Sequence, residues 1–156
     1  MIKRFAFKAA SRLVLQPYYR QSRGMTLGTR TVVINAAGEI LLVRHTYVPG
    51  WLLPGGGVER GETIQEAAVR EIREEAGVIA GEEPKLLGLY LNDAQFPGDH
   101  VACLVLREFS QERFQPNTEI AEARFFDPAS LPDGTTGGTR RRIAEALGGA
   151  IVSWRW

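Results

Sequence analysis

The segment from Thr63 to Gly77 restricts the fold more than any other part of this sequence. Its first residues, Thr-Ile-Gln-Glu, predict a capping box at a helix N-terminus, and Gly77 stands where a left-handed C-terminal cap is expected. At about 100° per residue, Glu71 and Glu75 fall on the aliphatic face of this helix, and Glu74 falls on its flank. Because burying unpaired carboxylates is costly, an acidic inward face predicts a functional site.

The carboxylates of Glu71, Glu74 and Glu75 repel one another when they share one face, and a hard divalent cation relieves that repulsion. Ligands that are all oxygen favour Mg²⁺ or Mn²⁺ over softer metals. We therefore predict a Mg²⁺ site here, with Mn²⁺ as the alternative ion. A solvated face with salt bridges is the usual interpretation of Glu- and Arg-rich helices, but it does not explain carboxylates on the side that packs.

Further elements are predicted on both sides of this helix. Two short aliphatic runs before it, separated by Ala-Ala-Gly, favour a hairpin, and later runs favour strands, a turn and a C-terminal helix. In chain order these are Thr31–Asn35, Ile40–Val43, Lys85–Leu91, Val101–Phe109, Glu122–Asp127, the turn Pro128–Leu131 and the helix Thr139–Leu147. Strands interleaved with two helices indicate a layered α/β domain.

Residues Gly56 to Val78 read Gly-x5-Glu-x7-Arg-Glu-Ile-x-Glu-Glu-x-Gly-Val. This pattern resembles the complete signature of the Nudix hydrolases. The resemblance implies an α/β/α sandwich around a mixed β-sheet, and we place this domain at residues 28–156. It also implies an enzyme that hydrolyses a diphosphate linked to another moiety, with Mg²⁺ as the usual cofactor.

The same resemblance implies roles for individual residues. Metal binding is assigned to Glu71, Glu74, Glu75 and the carbonyl of Gly56, and positioning of the helix to Arg70 and Glu62. Water would attack phosphorus in line after a carboxylate removes its proton. In this family the base is a glutamate of the signature or one from a later loop. Glu119 is the candidate for the second arrangement, and a plain exposed loop acid is its equal alternative.

Candidate substrate contacts lie outside the signature. Arg44, at the end of the second predicted strand, is a candidate phosphate ligand, with a salt-bridged surface arginine as the alternative. The aromatic candidates for stacking on a nucleobase are Tyr47, Trp51 and Phe96. Core packing is the alternative for them, above all for Trp51. The auxiliary motifs of known subgroups are absent, so a small nucleotide such as a nucleoside triphosphate or a nucleotide sugar is the predicted substrate.

Charge is distributed unevenly along the chain. Residues 1–38 contain seven basic side chains and no acidic one, although the net charge is +1. We expect residues 1–27 to form a basic helix or arm that packs on the domain or on a second subunit of a homodimer, with contact to a phosphate-rich ligand or a membrane surface as the alternative. The later run Arg140 to Arg142 is interpreted as a solvated helix face.

Composition excludes several classes of protein. No apolar run approaches the roughly 18 residues that cross a membrane. The single Cys103, predicted to be buried, argues against a disulfide-rich secreted scaffold, so we expect a cytoplasmic location. Alternative functions are a non-catalytic nucleotide-sensing or partner-binding Nudix domain, whose mark would be lost carboxylates, and an RNA 5′-end pyrophosphohydrolase with nucleic acid as its partner. A hydrolase of non-nucleotide diphosphates also remains open.

Overall fold

The structure is a computed structural model that describes residues 24–149 and 153–156. In chain order its elements are β1 (Thr26–Val33), β2 (Ile40–His45), α1 (Ile64–Ala76), β3 (Val78–Ala80), β4 (Lys85–Leu91), β5 (Asp99–Leu106), β6 (Phe109–Gln111), β7 (Ile120–Phe126), a 3-10 helix (Pro128–Ser130) and α2 (Gly137–Ala146). The predicted N-terminal arm and its contact with a second subunit fall on residues that lie almost wholly outside this description. No helix of the described part is long and apolar enough to cross a membrane.

The strands form a mixed sheet with two smaller pairs beside it. Strand β5 is central, because it pairs in parallel with β1 and antiparallel with β4. The other two pairs, β2 with β7 and β3 with β6, are antiparallel. The predicted α/β class with a mixed sheet is confirmed.

Side chains of the strands alternate between two hydrophobic cores. Val32 of β1 packs in one core with Ile143 of α2, whereas its neighbour Val33 packs in the other with Ile72 of α1. Strand β2 divides between the two cores in the same way. Because successive side chains of a strand point to opposite faces, each helix covers a different face of the strand layer. The α/β/α sandwich expected from the resemblance is therefore present.

The predicted hairpin between the first two aliphatic runs is confirmed only at its turn and does not extend along the strands. The two strands meet only at the bridge between Ile34 and Ile40, beyond which β1 pairs with β5 and β2 pairs with β7. The turn itself is real, since the side chain of Asn35 accepts hydrogen bonds from the N–H groups of Ala37 and Glu39. The sequence thus located the reversal of the chain but not the partners of the strands.

Other elements also differ from the prediction, since β1 begins five residues and β7 two residues before the predicted strands. The predicted strand Val101–Phe109 divides into β5 and β6, because the N–H groups of Arg107 and Glu108 donate to the carboxylate of Glu82. Strand β3, which pairs with β6, was not predicted. Helix α2 begins two residues early, since Thr136 caps it by accepting a hydrogen bond from the N–H of Thr139.

The expectation of a solvated arginine face on α2 is wrong for Arg142. This side chain is fully buried, donates a 2.9 Å hydrogen bond to Glu145 and lies with its guanidinium carbon 3.8 Å from the ring centre of Tyr90. The hydroxyl of Tyr90 also donates to Glu145. Cys103 is buried as predicted, and burial raises the pKa of its thiol to about 12. A buried polar cluster therefore ties α2 to the central sheet.

Candidate active site

Helix α1 has both predicted caps. The Thr63 hydroxyl accepts from the N–H of Glu66, and the Glu66 carboxylate accepts from the N–H of Thr63 at 2.8 Å. At the other end Gly77 has a φ of 66°, and its N–H bonds back to the helix. The caps define both ends of the helix, and the packing of Ile72 and Ala76 in the core fixes which face turns inward.

Glu75 faces inward, as the helical periodicity predicts. It is only 7% exposed, and the N–H of Gly55 donates to its Oε2 at 2.8 Å. Its Oε1 lies 3.5 Å from Nε2 of His45. Burial, with smaller contributions from the charges of Glu71 and Glu119, raises the pKa of Glu75 to about 7, although the Gly55 bond and Arg30 act in the opposite direction. The buried carboxylate is therefore held by a glycine-rich loop.

Arg70 links Glu62 in the loop before α1 to the second acidic residue of the helix. Its guanidinium donates to both carboxylate oxygens of Glu62, at 2.9 and 3.0 Å, and to Oε1 of Glu71 at 2.7 Å. These hydrogen bonds raise the pKa of Arg70 above its usual value and hold Glu62 ionised, with a lowered pKa. The contacts are those that a positioning role for Arg70 and Glu62 requires.

Gly56 is in direct contact with Glu71. A Cβ placed on Gly56 would lie 2.5 Å from Oε1 of Glu71, so a side chain at this position would displace the carboxylate. The Gly56 carbonyl accepts two hydrogen bonds from Thr29, one from its N–H at 2.8 Å and one from its hydroxyl at 3.5 Å. The Glu71 carboxylate therefore packs directly against this glycine.

Glu74 is arranged differently from the other two acidic residues. Its side chain is 62% exposed and lies 3.5 Å from Nη1 of Arg70. Within residues 24–149 and 153–156, no group of three or more Asp, Glu, His or Cys side chains is close enough to hold a metal ion. Glu75 and Glu71 each contact one of the loop glycines, Gly55 and Gly56, whereas Glu74 is the exposed member of the three.

A cavity of about 920 Å³ opens beside this loop. Its lining includes Arg30, His45, Tyr47, Gly56, Asp99 and Trp156. The first residues of α2 border the cavity too. A cavity of this volume is in the range of small-molecule binding sites.

The comparison with known families agrees with this arrangement. Residues 25–147 match the NUDIX domain model. The chain belongs to the Nudix family. The signature glutamates therefore lie on the helix of a Nudix domain, and the protein is a Nudix-type pyrophosphohydrolase.

Relatives of this Nudix domain carry several activities in their names. The chain is 34% identical over 125 residues to a Bacillus subtilis (strain 168) protein provisionally described as an 8-oxo-dGTP diphosphatase, with 80% of this chain and 82% of that protein covered. It is 38% identical over 104 residues to the ADP-ribose pyrophosphatase of Methanocaldococcus jannaschii, covering 64% of this chain and 61% of that protein. A crystal structure of a MutT Nudix hydrolase from Burkholderia pseudomallei superposes with a TM-score of 0.67 at 26% identity, covering 77% and 96% of the two chains.

The predicted substrate contacts occupy different environments in this Nudix domain. Tyr47 lines the cavity, is 68% exposed and makes an edge contact with His45. Arg44 instead forms an ion pair with Glu122 on the surface. The remaining two aromatic residues do not line the cavity: Trp51 packs in the core against Phe126, and Phe96 is exposed.

Glu119, the candidate base from a later loop, lies beside the residue that follows His45 at the end of β2. Its main chain is fixed, because its carbonyl accepts from the N–H of Thr46 and its own N–H donates to Asn117. Its charge raises the pKa values of both Glu75 and His45. The carboxylate is therefore near the buried end of the site, and its role as base stays a prediction.

Two residues near Glu75 were not among the predicted site residues. Arg30 donates from one nitrogen to the carbonyls of Leu53 and Gly55. The side chain of His45 is 8% exposed, and neither ring nitrogen has a hydrogen-bond partner among the described residues. Burial and the charge of Arg30 lower the pKa of His45, which favours the neutral imidazole ring. The sequence signals that could have identified them are the position of Arg30 inside a strand and that of His45 at the end of an aliphatic strand.

Proposed function

We propose that this Nudix hydrolase cleaves the diphosphate bond of a small nucleotide joined to another group, such as a nucleoside triphosphate or a nucleotide sugar, with Mg²⁺ as cofactor and Mn²⁺ as the alternative ion. The observation that carries the proposal is a buried carboxylate, Glu75, bound to the N–H of Gly55 in a loop whose next residue, Gly56, contacts Glu71 and lines a cavity of about 920 Å³. The names of the relatives, which include nucleotide substrates, support it.

The donor atoms fit a hard divalent cation. Glu71 and Glu75 supply carboxylate oxygens, Gly56 supplies a carbonyl oxygen, and Glu74 is the acidic residue that would join them. Burial is the main reason why the pKa of Glu75 is raised, and the charge of Glu71 adds to it; a bound cation would favour the ionised carboxylate against both effects. A cation bound there would neutralise phosphate oxygens and make water easier to deprotonate.

The protein's own groups orient the reaction. The N–H of Gly55 occupies one oxygen of Glu75, and Arg70 occupies one oxygen of Glu71, so each carboxylate presents its other oxygen in a fixed direction. Tyr47, at the exposed rim of the cavity, is the residue that we propose to stack on a nucleobase. A carboxylate takes the proton of the attacking water, either a glutamate of the signature or Glu119.

The test is release of phosphate and pyrophosphate from a panel of diphosphates in the presence of Mg²⁺. The panel contains nucleoside triphosphates, nucleotide sugars, ADP-ribose, dinucleoside polyphosphates and triphosphorylated RNA, with the Glu75→Gln variant as the blank. One substrate well above the others, and no turnover by the variant, would support the proposal. No turnover of any compound with Mg²⁺ or Mn²⁺ would favour a nucleotide-sensing domain instead.

A second variant locates the base. Glu119→Gln that abolishes turnover while leaving Mn²⁺ binding unchanged assigns the proton transfer to Glu119. Turnover retained in that variant assigns it to a glutamate of the signature.

A further inference from the structure

The loop that precedes the signature helix is hydrogen-bonded to β1 through consecutive backbone carbonyls. All four consecutive carbonyl oxygens of Leu53–Gly56 accept hydrogen bonds from β1. The backbone N–H of Thr31 donates to the Pro54 carbonyl at 2.9 Å, and that of Thr29 donates to the Gly56 carbonyl at 2.8 Å. These two backbone hydrogen bonds resemble strand pairing, and they involve every second carbonyl of the four, those of Pro54 and Gly56.

The other two carbonyls are held by one side chain. Nη1 of Arg30 donates to the carbonyl of Leu53 at 2.9 Å and to that of Gly55 at 2.8 Å. Arg30 lies between Thr29 and Thr31 in β1, so its guanidinium serves the carbonyls that the strand's own N–H groups cannot reach. A single nitrogen atom thus bridges two peptide units of the loop.

The peptide unit that binds Glu75 is held directly by the N–H of Thr31, through the Pro54 carbonyl, and its two neighbouring units are held by Arg30. Gly55 has a φ of 144°, and a Cβ there would collide with the carbonyl of Thr29. Its N–H is the group that binds Glu75. The peptide unit that carries this N–H lies between the two units that Arg30 holds, so Arg30 restrains it from both sides.

The charge of Arg30 acts on the same carboxylates. Burial lowers the pKa of Arg30, whereas the negative charges of Glu75 and Glu71 raise it. Although burial raises the pKa of Glu75, the charge of Arg30 lowers it and so favours the ionised carboxylate.

We propose that Arg30 is a positioning residue of the reaction: by holding the carbonyls of Leu53 and Gly55, it keeps the Gly55 N–H on Glu75 and fixes that carboxylate for a divalent cation. This inference rests on the proposed function. It differs from a direct contact between Arg30 and a substrate phosphate, a role that its place in the cavity lining would also permit.

The two roles are separated by metal binding in the absence of substrate. We would titrate Mn²⁺ into the full chain and follow the free ion by electron paramagnetic resonance. Loss of a group that orients a metal ligand typically costs 10–100-fold in metal affinity, so Arg30→Met should raise the Kd for Mn²⁺ by about that factor. Arg30→Lys, which keeps the charge, should fall between this variant and the unmodified protein. If circular dichroism shows that Arg30→Met does not fold, the Arg30→Lys variant provides the test instead.

The matched control is Arg124→Met. Arg124 is a strand arginine that is 64% exposed, and it lies 3.9 Å from its acidic neighbour Glu122. Its loss should leave the Kd for Mn²⁺ and the kinetic constants unchanged, because it touches neither the loop nor Glu75.

A double-variant cycle tests whether Arg30 acts through Glu75. In the Glu75→Gln background, Arg30→Met should change the Kd for Mn²⁺ by less than about threefold, because the oriented side chain no longer carries a charge. An equal loss in both backgrounds would overturn the proposal. An unchanged Kd for Mn²⁺ with a raised KM would also overturn it, in favour of direct phosphate contact.

Failure of the proposed function would look different. In that case the unmodified protein itself would bind no Mn²⁺ and cleave no diphosphate. Failure of the Arg30 role alone would leave an active unmodified protein and Arg30 variants that bind Mn²⁺ equally well.

Discussion

Replacing Gly56 with alanine is expected to disable the enzyme while leaving it folded. The new Cβ would lie 2.5 Å from Oε1 of Glu71, 2.7 Å from its Cδ and 2.9 Å from Oε2. The obstacle is thus the end of one side chain, and the φ of Gly56 is outside the left-handed region that favours glycine. The substitution therefore acts on the position of a carboxylate and adds no backbone strain.

The displacement can be read from these distances. To restore an ordinary van der Waals contact of 3.4 Å, the Glu71 carboxylate must retreat by about 0.9 Å. That movement would also break or lengthen its 2.7 Å hydrogen bond with Arg70. Misplacement of a catalytic group by about 1 Å can cost about 100-fold in rate, so we expect kcat/KM to fall by about that factor.

The neighbouring glycine provides the control. A Cβ on Gly57 meets no heavy atom within 4 Å, so Gly57→Ala should keep kcat/KM within about twofold. Both variants would be assayed with Mg²⁺ on the best substrate of the panel, and their urea unfolding would be compared with that of the unmodified protein. Full activity of Gly56→Ala would refute the argument from the position of Glu71. An equal loss in both variants would show that flexibility of the loop, and not the carboxylate, is what matters.

Three further predictions concern other parts of the molecule. Arg70→Lys loses the two parallel hydrogen bonds to Glu62, and we expect kcat/KM to fall by about 10–100-fold with an unchanged circular dichroism spectrum; an active variant would contradict this. Cys103, with its pKa raised to about 12 by burial, should react with a disulfide reagent at pH 8 only as fast as the protein unfolds; rapid reaction of the folded protein would contradict its burial. Arg142→Met removes the buried cation from beside Glu145 and should lower the free energy of unfolding by about 3–5 kcal/mol; a loss below about 1 kcal/mol in urea would show that the pair contributes little.

The local features of the site were readable from the sequence. The caps of α1 lie within a few residues of the helix they terminate, and the inward direction of Glu75 follows from helical rotation alone. The predicted strand pairing of the hairpin failed for the opposite reason. Which strand pairs with β1 depends on β5, about seventy residues further along the chain, and a turn carries no information about that choice.

Arg30 and Arg142 show a second limit. The partners of Arg30 are backbone carbonyls 23 and 25 residues away, and carbonyls leave no trace in a sequence. Arg142 belongs to a run of three arginines, and only the packing of Tyr90 against α2 decides which of them is buried. A charged residue inside a strand or a helix therefore signals a buried partner group, but only the structure identifies that partner.

The two cores that share β1 and β2 have a consequence for how the domain opens. Val32 and Val33 are adjacent in the chain but belong to opposite cores. If one helix detached, it would expose one face of these strands while the other helix still covered the opposite face. We expect the amides of α1 and β1 to exchange with solvent through a single global opening, with no earlier release of the helix. The acidic helix would then keep its geometry until the whole domain melts, so loss of activity on heating would coincide with loss of the fold.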